Sequence, residues 1–342
     1  MKKHIKIKFV DFTPNFDPRK ATIWKRLWDW YDVELSDNPD WLVFSVFGEE
    51  HLAYNNCVKI YWTGENQAPD FNLCDYAIGI DQLSFGDRYI YFPLWLCYTK
   101  DVERMLIKHT DINLAAKKDF CSFVYSNSNS SPHRQEFFTA LSKYKTVHSG
   151  GKFQNNIGGF IADKWSFEHS HKFSIAFENA SHDGYTTEKL IQSFAAQTVP
   201  VYWGDPRVAE TFNPDSFINC YDYPSWEAVV QRVKEIDQDD TLWLKMVQTP
   251  ALKDQKIVNK AWLDLDTFLC HIFDQEPTEA KRYSRDYWTL KQLRIRQRQK
   301  RAYDRSLFGS AHRFFMKHLY PFARKHQWAW TVTQKLMQIL HM

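Results

Sequence analysis

No apolar run in this 342-residue chain approaches the roughly 18 residues that a membrane-spanning helix requires, so no segment is expected to cross a bilayer. The opening MKKHIKIKFVDF is basic, but its apolar positions alternate with lysines and form no apolar leader core, so no secretory signal is expected. The six cysteines, Cys57, Cys74, Cys97, Cys121, Cys220 and Cys270, are scattered, with no two at metal-ligand spacing. A disulfide scaffold is not expected at this size, and a reducing, cytoplasmic compartment follows. Neither a G-x-G-x-x-G fingerprint nor a phosphate-loop lysine motif follows any strand candidate, which argues against a dinucleotide site or an NTP-hydrolysis loop. No D-x-D pair follows a strand in the central region. Asp264 and Asp266 do read D-L-D, but in a helix-like late segment where a solvated face explains them, so no metal site is expected.

What is present is a globular composition, 44% hydrophobic and 25% charged, which opposes disorder. The aromatic content of 17% suits a sugar-stacking surface and an aromatic core equally. The net charge of +3 hides an asymmetry. Residues 281–342 hold 15 Lys or Arg against Asp286 and Asp304, which leaves 29 basic and 39 acidic residues in 1–280. Such a split points to an anionic partner for the tail: lipid headgroups, nucleic acid or the protein's own acidic body.

Strand candidates at Ile5–Val10, Trp41–Phe47, Cys57–Trp62, Tyr76–Ile80 and Tyr89–Phe92, with a helix over Lys20–Trp30, predict a parallel α/β unit over residues 1–118. A second unit over 119–280 starts with a strand at Phe120–Tyr125 and a serine/asparagine loop, Ser126–Ser131. It continues with helices at His133–Tyr144, Trp226–Ile236 and Asp240–Gln248 and a strand at Ser216–Asn219. Two α/β units meeting across a cleft near residue 120 account for this order better than one continuous sheet. Residues 281–342 read as a basic helical tail, with Trp328, Val332, Leu336, Ile339 and Leu340 on one face and Lys325, Gln334 and Lys335 polar.

The segment Lys172–Pro206 carries the most information. Phe173, Ile175 and Phe177 alternate with small residues as a strand, which feeds the loop 178–188 and a helix opening at Lys189. Asp183-Gly184 predicts a tight bend, and Thr186 or Thr187 a helix cap. An anion held here would meet the free amides of the helix start and the Lys189 ammonium. Tyr185 offers a ring for stacking or a hydroxyl for a phosphate, and Glu178 and Glu188 are acceptors for paired sugar hydroxyls. On residue types alone, a capped surface helix with ordinary ion pairs and a site for an anionic, hydroxyl-rich ligand such as a nucleotide sugar stay equally open. Gly150, Gly151, Gly158 and Gly159 bracket a second loop whose amides can approach a ligand, with Lys152 either a site charge or a solvated lysine.

The stretch FSIAFENASHDGYTTEKLIQSFAAQTVPVYWG resembles the signature of the α-1,3/4-fucosyltransferases, the family of the enzymes that make Lewis-type antigens. Tyr61–Trp95, YWTGENQAPDFNLCDYAIGIDQLSFGDRYIYFPLW, and Phe120–Leu141, FCSFVYSNSNSSPHRQEFFTAL, are similar to the same family in the same order. The likeness extends through Asn213–Phe217 towards Cys270. It implies two Rossmann-like domains facing a cleft, a GT-B-type glycosyltransferase, with the nucleotide on the second unit and the acceptor on the first. It implies inverting transfer of L-fucose from GDP-fucose to the N-acetylglucosamine hydroxyl of a β-galactosyl-N-acetylglucosamine acceptor, with α-1,3 or α-1,4 linkage. The family's donor-binding residues fall on Tyr185, Glu188 and Lys189, its F-E-N element on Glu178 and Asn179, and its catalytic glutamate on Glu65.

The Glu65 carboxylate, in the T-G-E-N turn, suits a general base if partial burial raises its pKa; otherwise it simply accepts turn amides. Bacterial relatives often carry an arginine before Asn155, where this chain has Gln154, so Lys152 or Arg134 is expected to supply that contact. The tandem seven-residue repeats of some bacterial members are missing after Leu290. No cofactor is expected, a divalent ion at most stimulating. Nucleic acid is not an expected partner, whereas an anionic membrane surface is, through the tail, at the inner face of the cytoplasmic membrane.

Overall fold

The computed structural model describes residues 1–107, 112–127 and 130–319. Its first sheet holds β1 (His4–Val10), β2 (Asp32–Leu35), β3 (Trp41–Phe44), β4 (Val58–Trp62), β5 (Tyr76–Gly79) and β6 (Tyr89–Tyr91), in the order β2-β1-β3-β4-β5-β6. Every pairing is parallel. The interior strands β3, WLVF, and β5, YAIG, are buried at every position, as a parallel sheet covered on both faces requires. The edge strand β2, DVEL, has no fully buried residue, and with only Val33 and Leu35 apolar it is too short to have given a strand signal.

The second sheet holds β7 (Asp119–Phe123), β8 (Val147–Ser149), β9 (His171–Phe177), β10 (Val199–Trp203) and β11 (Ile218–Asn219), again parallel, in the order β11-β10-β9-β7-β8. The helix α1 (Arg26–Trp30) is shorter than the predicted Lys20–Trp30, because residues 17–25 form a series of hydrogen-bonded turns. The helix α2 (Thr99–Leu106), absent from the sequence reading, completes the first unit. The second carries α3 (His133–Ser142), α4 (Lys164–His169), α5 (Glu188–Ala195), α6 (Val208–Thr211), α7 (Trp226–Gln238) and α8 (Asp240–Gln248).

The C-terminal ends of the two sheets face each other. Asp81, just past β5, accepts a 2.6 Å hydrogen bond from His182 Nε2, in the loop after β9. The side chains of Ile80, Leu94 and Tyr185 bury one another across the same junction. Gln192 of α5 donates to Asp101 of α2 at 3.0 Å. Two parallel α/β sheets meeting at their strand ends are the GT-B-type arrangement.

The chain then returns to its beginning. The helix α9 (Lys256–Phe273) lies in the stretch assigned from sequence to the second unit, 119–280, yet it packs on the first sheet. Arg26 grips Asp266 with two hydrogen bonds, Tyr31 donates to Asp274 at 2.7 Å, and the Phe273 ring lies 5.0 Å from Trp41. This corrects the expected boundary: the apolar stripe of α9 is complementary to the outer face of the first sheet, a long-range match that local pattern does not carry. Asp264, for its part, pairs with Lys260 one turn away, as a surface residue does.

The tail begins in the same embrace. Arg285 pairs with the fully buried Asp75 and Arg282 with Asp87. The helix α10 (Tyr287–Arg305) is capped by Asp286 and buries Leu293, with Arg296 and Lys300 paired to Asp70 and Glu49 of the first unit. Helix α11 (Leu307–Phe314) follows. The stripe Trp328, Val332, Leu336, Ile339 and Leu340, with Lys325, Gln334 and Lys335, lies outside the described residues.

Phe273 is fully buried between Trp41 and Tyr31. Phe273→Ala should therefore cost about 3–5 kcal/mol of stability, read as a lower urea midpoint at unchanged slope. A loss below about 1 kcal/mol would mean that α9 is not part of the first unit's core.

Candidate active site

The strand β9 ends at Phe177 and hands the chain to Glu178, whose side chain is fully enclosed. A lone carboxylate there would be untenable, and both of its oxygens are in fact bonded from within the protein. Oε1 accepts the Thr187 amide at 2.8 Å, while Oε2 accepts the Thr187 hydroxyl at 2.7 Å and the Lys189 ammonium at 2.9 Å. Fully enclosed, Glu178 presents no surface to a sugar, and the role expected for it from sequence is corrected: it is a positioning residue for Lys189 and the first turn of α5. Thr187 is the N-cap of α5 by position, but its hydroxyl does not cap; it serves Glu178 and Lys189 instead.

Lys189 lies between two carboxylates, with Glu188 Oε1 at 3.2 Å on its more open side. Burial opposes its charge, but Glu178 and Glu188 overcome that and hold the ammonium well above its ordinary value. Burial alone would raise Glu188; Lys189 and Lys164 bring it down to about 2. Two hydrogen bonds, to Glu178 and Thr187, and the ion pair with Glu188 surround the Lys189 ammonium, so a phosphate reaching it must displace one, and the partly exposed Glu188 is the replaceable partner.

The bend at Asp183-Gly184 forms as predicted, with Gly184 at φ +81° and so close to the first unit that a Cβ would lie 2.2 Å from the Ile80 carbonyl. Gly204, at the end of β10, has no room either, since a Cβ would come within 2.3 Å of Glu178 Cγ. The main chain after β10 therefore forms one wall of the Glu178 pocket. Tyr185 is 3% exposed, wedged against Ile80 and Leu94. That removes the open ring face that stacking would need and leaves the hydroxyl as its functional part. Burial, with Glu178, pushes this hydroxyl up to about 12, so it stays a proton donor at neutral pH; Glu65 is near enough to add to the shift.

Arg134 is buried at the start of α3, donating to the Phe177 carbonyl at 3.0 Å and to Asn179 Oδ1 at 2.9 Å while stacking 3.9 Å from the centre of the Tyr125 ring. Its Nε has no partner, and its charge is felt by Glu178, Tyr185 and Glu188. Of the two cations named for the missing arginine, Arg134 is thus the one beside the cluster. Lys152 lies over the Phe160 ring at 5.7 Å. Gln154 adopts a left-handed backbone, φ 57°, and Asn155 spends its amide group on the carbonyls of Gly151 and Gly159, 2.8 Å each. Asn155 ties the glycine loop shut.

Glu65 occupies the turn after β4, where the buried Thr63 hydroxyl accepts its amide at 3.1 Å. Its side chain is exposed, so the partial burial anticipated for a base is not found. Sequence reasoning missed Tyr98, whose hydroxyl bonds Glu188, and Lys164, whose charge acts on Glu188. Both stand on helical segments without a motif of their own, and only the packing of α2 and α4 beside α5 brings them in.

Because Glu188 falls from 4.5 to about 2 on folding, its stabilising contribution is complete above the ordinary carboxyl range and is lost as pH drops from there towards 2. Urea midpoints should therefore show Glu188→Gln below the native protein at about pH 6, with the gap closing towards about pH 3. A gap independent of pH would remove the ion pair as its cause.

Two family models match the chain: the Alpha-(1,3)-fucosyltransferase FucT N-terminal domain over residues 7–98, and Glycosyltransferase family 10 (fucosyltransferase) C-term over residues 114–291. The chain is 32% identical over 255 residues to the Alpha-(1,3)-fucosyltransferase FucT of Helicobacter pylori, covering 64% of this chain and 53% of that protein. It is 35% identical over 133 residues to the human 4-galactosyl-N-acetylglucosaminide 3-alpha-L-fucosyltransferase 9, covering 38% and 36%. The chain thus spans about half or less of the length of these curated relatives. A crystal structure of alpha1,3-fucosyltransferase with GDP-fucose superposes with a TM-score of 0.66 at 26% identity, covering 79% of this chain and 91% of that one. With more than half of its residues matched by the second model alone, the chain belongs to glycosyltransferase family 10, the fucosyltransferases.

Proposed function

We propose that this protein transfers L-fucose from GDP-fucose, with inversion, to the N-acetylglucosamine hydroxyl of a β-galactosyl-N-acetylglucosamine acceptor, forming an α-1,3 or α-1,4 linkage. The observation that carries the reading is the Glu178–Lys189–Glu188 cluster at the start of α5, opposite the turn that bears Glu65. Donor identity is supported by family membership and by the solved relative with GDP-fucose.

In this reading the pyrophosphate takes the place of Glu188 on Lys189, and the Tyr185 hydroxyl donates to a phosphate oxygen. Glu188, released, accepts hydroxyls of the sugar or ribose, and Arg134 adds positive charge from behind Asn179. Glu65 removes the proton of the acceptor hydroxyl while that oxygen attacks the anomeric carbon and GDP departs from the opposite face. The negative charge gathering on the leaving phosphate is met by Lys189 and the amides opening α5. These cations and amides fill the role a resident metal would have, so none is proposed for the transfer, a divalent ion at most stimulating it. The acceptor lies on the first unit, where a groove lined by Asp11, Phe12, Thr13, Phe16 and Pro18 offers aromatic faces. Phe12 stacks on Phe16 at 3.9 Å and reaches Trp62, three residues before Glu65.

The reading for location draws on α10. No described helix is long and apolar enough to cross a membrane. With Arg296 and Lys300 turned to the body, Lys291, Arg294, Arg298 and Arg301 share the exposed face beside Trp288, itself 66% exposed. We place the enzyme in the cytoplasm, peripheral on the anionic inner face of the membrane, with each basic residue contributing about 1 kcal/mol of attraction.

Glu65→Gln should fold and bind GDP as the native protein does, yet transfer roughly 100-fold more slowly or worse. Near-native turnover would move the base elsewhere. Charge reversal of Lys291, Arg294, Arg298 and Arg301 to Glu should abolish low-salt sedimentation with phosphatidylserine vesicles. If the native chain ignores such vesicles, the membrane placement fails.

A further inference from the structure

At the end of the second sheet remote from the donor cluster, three strands bring metal-ligating side chains together. Asp119 opens β7, His148 is the middle residue of β8, and His171 opens β9, in register with Asp119. His148 Nδ1 lies 3.1 Å from His171 Nε2 and 3.6 Å from Asp119 Oδ1, and all three ligand atoms fall within 4.8 Å of one another. Among the described residues this is the one such group of three. We propose that Asp119, His148 and His171 form a binding site for a zinc-like divalent transition-metal ion, which clips β9, β7 and β8 together.

Three observations point the same way. Four ligands at tetrahedral angles and bond lengths near 2.0–2.1 Å stand about 3.3–3.4 Å apart, and the two measured separations bracket that spacing. Each of two ligands is also oriented from behind. His171 Nδ1 points at the Phe167 carbonyl at 2.7 Å, which places its proton there and leaves the Nε2 lone pair facing His148 and Asp119. Ser170 donates to Asp119 Oδ2 at 3.3 Å, leaving Oδ1 for the cluster. Finally, His171 is fully buried while His148 and Asp119 are about one-third exposed, so the site has a rigid floor and an open side for ion entry and a water ligand.

Charge and softness fit as well. Two imidazoles and one carboxylate suit zinc, cobalt or nickel and not magnesium, which favours oxygen ligands. The cation nearby is Lys117, whose Nζ is held by the carbonyls of His169 and Ala196. The seven residues of β9 put this site about 20 Å from Glu178 at 3.3 Å per residue, so an ion here braces the sheet and takes no part in transfer.

The test uses the full, untagged chain stripped with EDTA. Calorimetry with zinc chloride at about pH 7.5 should show saturable binding near one ion per chain, unaffected by excess magnesium. Cobalt chloride should give the intense visible bands of a four-coordinate ion, and zinc should raise the melting temperature. His148→Ala, at a partly exposed position, should keep the fold and bind zinc about 100-fold more weakly or worse, since one of three protein ligands is gone. Asp119→Asn should weaken it as a second, independent ligand change. Absence of zinc binding by the native chain, equal binding by His148→Ala, or only weak octahedral cobalt bands would overturn the site and leave the pair as a hydrogen bond between histidines.

Discussion

A carboxylate with no access to water organises the second half of this protein. Glu178 stands where β9 ends, and burial of a charge there is tolerated only because the Thr187 amide and hydroxyl and the Lys189 ammonium converge on it. That requirement sets the path of the intervening loop and the angle at which α5 begins. It also demands a residue without a side chain at Gly204, since any Cβ there would overlap Glu178. The lysine most exposed to the consequences is itself almost out of solvent, so its position is set before any ligand arrives. Such preorganisation is what an electrostatic site needs, because reorientation during the reaction would consume the energy it supplies.

The two units are not independent bodies that touch. Tyr185 is packed by Ile80 and Leu94 of the first unit, and His182 bonds Asp81, so the donor loop takes part of its shape from the opposite wall. The first unit in turn is completed by residues from the far end of the chain, through the Arg26–Asp266 pair and the Phe273–Trp41 contact. Arg285 closing on the buried Asp75 extends the dependence to the beginning of the basic tail.

Strands buried on both faces were legible because their apolar runs are dense: WLVF, VKIYW and FSIAF all lie where the pattern puts them. The Asp183-Gly184 bend was legible from turn chemistry. What escaped has a common cause. Edge strand β2 pairs on one side only and has little to bury, and α2 and α4 are short, so hydrophobic pattern marks them weakly. Glu178 was identified as a site residue but given a ligand-facing role, because residue type says nothing of depth. The reach of α9 across to the first sheet and the neighbours Tyr98 and Lys164 depend on contacts distant in sequence. Likewise the His148–His171 meeting arises from strand order, β9-β7-β8, in which β8 and β9, consecutive in the chain, flank β7.

The return of α9 has a mechanical consequence. The chain passes between the units twice, once between Leu106 and Asp119 and again between Gln248 and Lys256, so the second sheet is tethered at two points instead of one. A body held by a single strand can swivel freely; one held by two is left chiefly with a swing about the line through both. Any motion of one unit against the other is thereby confined chiefly to that one axis, which keeps Glu65, after β4, and Lys189, on α5, in a fixed mutual orientation.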